Sequence, residues 1–472
     1  MNFNTVLFLF LFLPFFLIAY FIAQPRWRLY LGIIASLLFY AWGSIFNLFW
    51  IVALIVVNYL LAGRLETKPS KWILPLGLII NMGVLVFFKC FQVYGMNVFL
   101  GLGNYLPAQL NERIATLTFP LGLSYISFQL ISYLLDVNAG AIRAESKFSA
   151  FAFYVLMFPK LLVGPIVRYR NIYSQLAEPN PESAQIANGI RRFLGGFAKK
   201  ILIADTLAIT INAAFKVQVE ALTPLIGWLA LIGYALQIYF DFSGYTDMAI
   251  GLAEMMGFHF SENFNNPYSA QSIGDFWRRW HISLSTWFRD YVFYPLERRR
   301  LPIVGQTLNI LIVFLLTGLW HGVTLNFIVW GLLHGFFIAS ETLFLNRWLQ
   351  KTVTPVRHVY ALVVILFTWL IFRAPTLDYA FDFVRLLTGT IHEHVQLSFY
   401  DTSPLPFIEP SFLIAFIMGL LLCIPPIPAL KNQLSNSMLL RIGGDLILIT
   451  LFVLAVAAMT GSTFLPGIYA TF

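Results

Sequence analysis

The chain has 472 residues, 59% of them hydrophobic and 11% charged, against about 25% charged in a soluble domain; composition alone excludes an ordinary soluble protein and leaves an integral membrane protein. The formal net charge of +8 is dispersed in short Lys and Arg clusters between apolar runs, which argues against nucleic-acid binding and for loops that obey the positive-inside rule. Cys90 and Cys423 both lie in apolar segments, so neither a disulfide framework nor a cysteine-rich metal site is available.

Residues 4–23 form an apolar run with no charged stretch before it and no small-residue cleavage site after it. This reads as a retained first span, and Arg26 and Arg28 behind it place the N-terminus outside. Residues 29–62 carry no charge and are too long for one steep helix in a hydrocarbon core of about 30 Å. A turn at Ala41-Trp42-Gly43-Ser44 is predicted to divide them into two short spans, with Arg28 and the Arg64, Lys68, Lys71 cluster on the inside. Further apolar stretches follow near 72–88, 117–137, 150–167, 194–214, 222–257, 303–345, 357–373, 410–429 and 444–465.

The expectation is therefore an all-α, polytopic integral membrane protein of roughly ten to thirteen membrane helices. Short re-entrant or interfacial helices belong with them, because Pro120, Gly122, Pro159, Gly164 and Pro165 interrupt apolar runs. Irregular backbone at membrane depth is tolerated only against protein or a cavity, which points to a ring of helices around a central tunnel. No internal repeat is visible. The chain reads as one domain over 1–472, with N-terminal helices in 1–115, a core bearing the candidate site in 116–345, and C-terminal helices in 346–472. Residues 171–188 and 389–409 are polar connections, too short to be domains. After Pro375-Thr376, the residues Leu377, Phe381, Val384 and Leu387 share one helical face, as in a helix lying on the membrane surface.

The stretch Phe276–Phe293 divides, at 100° per residue, into an apolar arc and a polar arc. Phe276, Trp277, Trp280, Leu284, Trp287, Phe288 and Tyr291 form the first; Arg278, Arg279, Ser283, Ser285, Thr286, Arg289 and Asp290 form the second. His281 falls at the boundary, either as the wetted edge of an interfacial helix or as part of a cavity-lining face. His321, in Thr317-Gly-Leu-Trp320-His321-Gly322, ends an apolar run, and an ionisable group inside a span is costly without a role. A near-neutral pKa suits a histidine to take a proton from an acceptor hydroxyl or thiol.

His334 lies between Gly331 and Gly335, whose spacing lets helices approach closely, and reads either as a packed histidine or as part of the site. Asp241 and Asp247 are carboxylates in an apolar run, available for a polar seam between helices or for a cavity. The substrate-tunnel candidates are Trp320, Asp241, Asp247, Arg278, Arg279, Ser285, Asn326 and His334. The clusters Arg191, Arg192, Lys199, Lys200 and Arg298–Arg300 offer a basic entrance to an anionic donor. His392-Glu393-His394 reads as a solvated loop. No metal or bound cofactor is expected, and no HExxH, P-loop or dinucleotide pattern is present.

The stretches 119–137, 158–169, 236–253, 263–296 and 318–335 resemble the membrane-bound O-acyltransferase family, and within it the bacterial alginate O-acetyltransferase branch. That resemblance implies a membrane-embedded active-site histidine at His321 and its partner at His281. It also implies an acetyl group drawn from a cytoplasmic thioester, acetyl-CoA, in the inner membrane. The acetyl group would pass to an extracytoplasmic acceptor or acetyltransferase partner protein, for a surface polysaccharide such as alginate, cellulose or peptidoglycan. The competing reading is a proton-coupled transporter or flippase that uses His321, Asp241 and Asp247.

Overall fold

A computed structural model of the chain describes residues 2–68, 70–103, 119–177, 179–298, 305–390, 408–425 and 437–461. Every regular element among them is helical. Among the described residues, six helices are long and apolar enough to cross a membrane, and four shorter apolar helices accompany them, as a multi-pass membrane protein requires. The chain divides into two compact units. The first comprises Met1–Ile190 and Ala249–Ser261, and the second comprises Arg191–Met248 and the described residues from Glu262 onward.

In the first unit the principal helices are α1 (Leu13–Ile22), α2 (Pro25–Ala41), α3 (Ile45–Thr67), α4 (Ile73–Gly103), α5 (Leu123–Asn138) and α6 (Phe148–Leu156). The break between α2 and α3 falls where the turn is predicted, because Ser44 leaves helical geometry and its hydroxyl accepts from the Asn47 N–H. α3 is not a short span: its 23 residues run past Arg64. α3 and α4 are joined by a buried reciprocal amide pair, Asn58 Nδ2 to Asn81 Oδ1 at 3.1 Å and Asn81 Nδ2 to Asn58 Oδ1 at 2.8 Å. Gly122, at φ +69, must be glycine, since a Cβ there would lie 2.1 Å from the Leu161 carbonyl oxygen.

The second unit opens within α7 (Ser183–Ala198), followed by α8 (Thr206–Ala214) and α9 (Pro224–Met255), of which the residues through Met248 belong to it. α10 (Ile273–Arg279), α11 (Ile282–Phe288), α12 (Gly305–His321), α13 (Leu325–Ser340) and α14 (Thr354–Arg373) carry the candidate site; α15 (Leu377–Leu387), α16 (Pro410–Leu422) and α17 (Met438–Gly461) follow. The helix expected after Pro375-Thr376 is α15, capped by the Thr376 hydroxyl. Its buried face is Ala380, Phe383, Leu386 and Leu387; of the apolar face drawn from spacing, Leu387 is buried and Phe381 is 67% exposed. An apolar residue can face lipid as well as protein, so hydrophobicity alone does not choose the face. Arg299, Arg300 and His392-Glu393-His394 lie outside the described residues.

α12 and α13 pack through glycine. A Cβ on Gly331 would lie 2.3 Å from the Phe314 carbonyl oxygen and 3.1 Å from the Gly318 Cα, and one on Gly318 would lie 2.4 Å from the Phe327 carbonyl oxygen. Backbone therefore meets backbone, as the Gly331 and Gly335 spacing leads one to expect. Gly331→Val must drive the two helices apart. Overpacking of this kind costs about 1–3 kcal/mol, so the purified variant should unfold several degrees below wild type in a thermal melt. An unchanged melting temperature would contradict the close approach.

Candidate active site

The stretch read as one amphipathic helix is two. Trp280 is extended (φ −105, ψ 130), and His281 takes a left-handed conformation (φ 43, ψ 53) before α11 begins. Only Asn266 and His281 among the described non-glycine residues have positive φ, and both belong to this block. Backbone hydrogen bonds hold the break open: Asn265 N–H donates to Arg279 O at 2.9 Å and Ile282 N–H to Asn263 O at 3.0 Å. The buried Asn263 side chain completes the hook. Its Oδ1 accepts from the Ser283 N–H at 3.1 Å and the Ser283 hydroxyl at 2.9 Å, and lies 3.3 Å from His281 Nδ1.

A carbonyl oxygen only accepts, so His281 carries its proton on Nδ1 and presents a lone pair on Nε2. The residue is 1% exposed, which rules out the wetted edge of an interfacial helix. Burial pushes its pKa down to about 3, and the ring is neutral at physiological pH. Its T-shaped neighbour is Phe242, at 4.7 Å.

His321 is the last residue of α12 and is 3% exposed. Its ring packs against Trp320 at 4.6 Å, Trp330 at 5.0 Å and Phe372 at 5.1 Å. The Trp320 indole also meets His281, at 6.1 Å. The structure thus brings both candidate catalytic histidines to one indole. His334 joins the same aromatic cluster through Trp330, at 5.0 Å. Its Nδ1 accepts from Trp277 Nε1 at 3.2 Å, so its proton sits on Nε2, the opposite tautomer to His281.

The remaining candidates divide by partner. Asp241 and Lys200 are both buried and pair at 2.6 Å, and Lys200 also binds Asp205 at 2.5 Å. Asp247 is held by Lys199 at 2.7 Å and by Arg192 at 3.0 Å. Arg192 reaches Glu262 as well, and Arg191 pairs with Asp445. The basic entrance expected from Arg191, Arg192, Lys199 and Lys200 is accordingly not available as free charge, because each cation already faces a carboxylate. Arg278 and Arg279 share Asp275, at 3.3 and 3.1 Å. The Ser285 hydroxyl donates to Trp280 O at 3.4 Å. Asn326 donates to Ala374 O at 2.7 Å and so fastens α13 to the end of α14.

Sequence reasoning passes over two residues. Asn263 had no signal beyond its place in the quoted block. Glu341 had one, a carboxylate inside an apolar run: it is 3% exposed and accepts from Ile273 N–H at 2.6 Å, Gly274 N–H at 2.9 Å and the Tyr360 hydroxyl at 3.1 Å. α10, which leads into His281, is thereby held at its N-terminus.

A family model described as membrane-bound O-acyltransferase matches residues 5–378. The chain belongs to the membrane-bound O-acyltransferase family. It is 40% identical over 389 residues to a probable alginate O-acetylase of Azotobacter vinelandii, covering 80% of this chain and 76% of that protein. It is 33% identical over 427 residues to a peptidoglycan O-acetyltransferase of Helicobacter pylori, covering 82% and 80%. To a teichoic acid D-alanyltransferase of Bacillus subtilis it is 32% identical over 246 residues, covering 49% and 60%. Membrane-bound O-acyltransferase membership over this span makes the protein an O-acyltransferase, and Asp241 and Asp247 are each paired with a cation.

Two predictions follow from the geometry alone. Ala at 281 carries a Cβ in left-handed backbone, at roughly 1–2 kcal/mol, whereas Gly carries none. His281→Gly should therefore match or exceed His281→Ala in melting temperature, and the reverse order would contradict the strained backbone. Lys200→Met leaves Asp205 and Asp241 buried without their cation, and removal of one partner of a buried pair costs about 3–5 kcal/mol. Abundance and melting temperature should both fall steeply; near-normal values would show the pair to be dispensable.

Proposed function

We propose that this O-acyltransferase takes an acetyl group from a cytoplasmic thioester, acetyl-CoA, and delivers it to an extracytoplasmic acceptor for O-acetylation of a cell-surface polysaccharide. The observation that carries the chemistry is the convergence of His321 and His281, both buried, on the indole of Trp320. In this reading His321 is the general base. It removes the proton of the acceptor hydroxyl as that oxygen attacks the thioester carbonyl, and a tetrahedral intermediate forms. Collapse breaks the C–S bond, and the CoA thiolate leaves with the proton that His321 held. His281, made less basic by burial, instead serves to orient the reacting groups through its Nε2 lone pair.

Acetyl rather than D-alanyl transfer is favoured by extent: the alginate and peptidoglycan acetyltransferases match about four-fifths of the chain, the D-alanyltransferase about half. The polymer is alginate, peptidoglycan, cellulose or a similar glycan. A dedicated partner protein receives the acetyl group, and the membrane is the bacterial cytoplasmic membrane, in line with the basic loops.

Purified protein with radiolabelled acetyl-CoA and a candidate acceptor tests the reading. A positioned general base contributes about 10²- to 10⁴-fold, so His321→Ala should lose at least a hundredfold in label transfer at normal abundance and melting temperature. A stable His321→Ala protein with near-normal transfer would remove His321 from the chemistry.

A further inference from the structure

A polar cleft of about 550 Å³ opens beside α10, lined among others by Gln271, Arg278, Thr342, Asn346, Gln350 and Arg357. Two carboxylates face it, Asp275 and Glu341, and the oxygens of both are already hydrogen-bonded, Glu341 by neutral groups that leave its charge in place. Asp275 is shared by Arg278 and Arg279, and Glu341 accepts two backbone N–H groups and the Tyr360 hydroxyl. Among the described residues, the Arg357 guanidinium is engaged only by a neutral group, the Thr354 hydroxyl at 3.2 Å. Arg278 is 71% exposed in its side chain and is held only at the 3.3 Å contact to the shared Asp275. This contrasts with Arg191, Arg192, Lys199 and Lys200, every one of which is neutralised.

Two under-compensated guanidiniums with the amides of Gln271, Asn346 and Gln350 around them make a donor-rich concavity suited to an anion with several acceptor oxygens. The residues beside it are apolar and exposed: Phe344 is 62%, Trp348 56% and Val353 66% accessible, as at the boundary between headgroups and acyl chains. We infer that this cleft binds a phosphate group through Arg357 and Arg278. Two molecules could bring that group, the thioester donor through its nucleotide end or an anionic phospholipid through its headgroup. The donor arm rests on the acetyl-transfer reading, and the lipid arm does not.

The test uses the purified full chain as wild type, Arg357→Gln and Arg357→Lys. CoA and pantetheine, which lacks the phosphates, are titrated for binding. In parallel, melting temperature is measured in nanodiscs of phosphatidylcholine and of phosphatidylglycerol. Loss of a charge-assisted contact should weaken binding by about tenfold or more. If Arg357→Gln weakens CoA to that extent, leaves pantetheine unaffected and is partly restored in Arg357→Lys, the donor supplies the phosphate. If CoA binding is unchanged but the extra stability in phosphatidylglycerol disappears in Arg357→Gln, a lipid supplies it. If the variant matches wild type in both assays, or wild type prefers neither phosphate-bearing ligand, the inference is overturned. Wild type that binds CoA through the cleft yet transfers no acetyl would sink the functional reading and leave the cleft assignment standing.

Discussion

A charge removed from water must find its partner within the protein, and the second unit is organised by that constraint. Lys200 is buried, so Asp205 and Asp241 must stand beside it. Asp247 is partly covered and takes two cations. Glu341, deep in the same unit, is satisfied by backbone N–H groups instead of a cation. These contacts tie α7, α9, the Lys199–Asp205 π-helical segment and the end of α13 to fixed neighbours, and the short helices around His281 are positioned against them.

α10 shows what this achieves. Only seven residues long, it could not hold its shape alone, since isolated helices of that length are unstable in water. Its N-terminus is held by Glu341 and its C-terminus by the Asn265–Arg279 backbone bond and the Asn263 hook. Trp277 in its middle donates to His334. This short element thus lies between the contacts of two histidines, His334 through Trp277 and His281 through the Asn263 hook that follows it. His321 is placed differently, at the end of α12, where glycine contacts with α13 set the separation and Trp320 and Trp330 flank the ring.

Much of this was legible in the sequence. Charge scarcity reveals the membrane, Ser44 reveals the turn before α3, and His321 declares itself as an ionisable residue in a span. Of the apolar arc, Phe276, Trp277, Trp280, Leu284, Trp287 and Phe288 are buried and Tyr291 is half-buried. What periodicity could not show is the break at Trp280-His281, because a left-handed residue leaves the hydrophobic order of its neighbours unchanged. Nor could it show which carboxylate meets which cation: Lys200 finds Asp241 through tertiary packing, and no spacing rule connects them. The basic clusters looked like free charge for the same reason, their partners Asp445 and Glu262 being distant in sequence.

The left-handed geometry at His281 carries one further step. Glycine adopts that conformation without strain, whereas a side chain there costs on the order of 1–2 kcal/mol. A turn needed only to reverse the chain would be served better by glycine. The Asn263 hook would still receive Ser283, and the backbone bonds at Asn265 and Ile282 do not depend on the side chain at 281. Packing does not require an imidazole either, since Phe242 and Trp320 would accept an apolar ring. An imidazole is retained in strained backbone, neutral, with its Nε2 lone pair defined by the Nδ1 contact. Strain of this kind persists where the surroundings impose it and where the group has work to do. The strained backbone at His281 thus supports the role proposed for it on grounds separate from those that support His321.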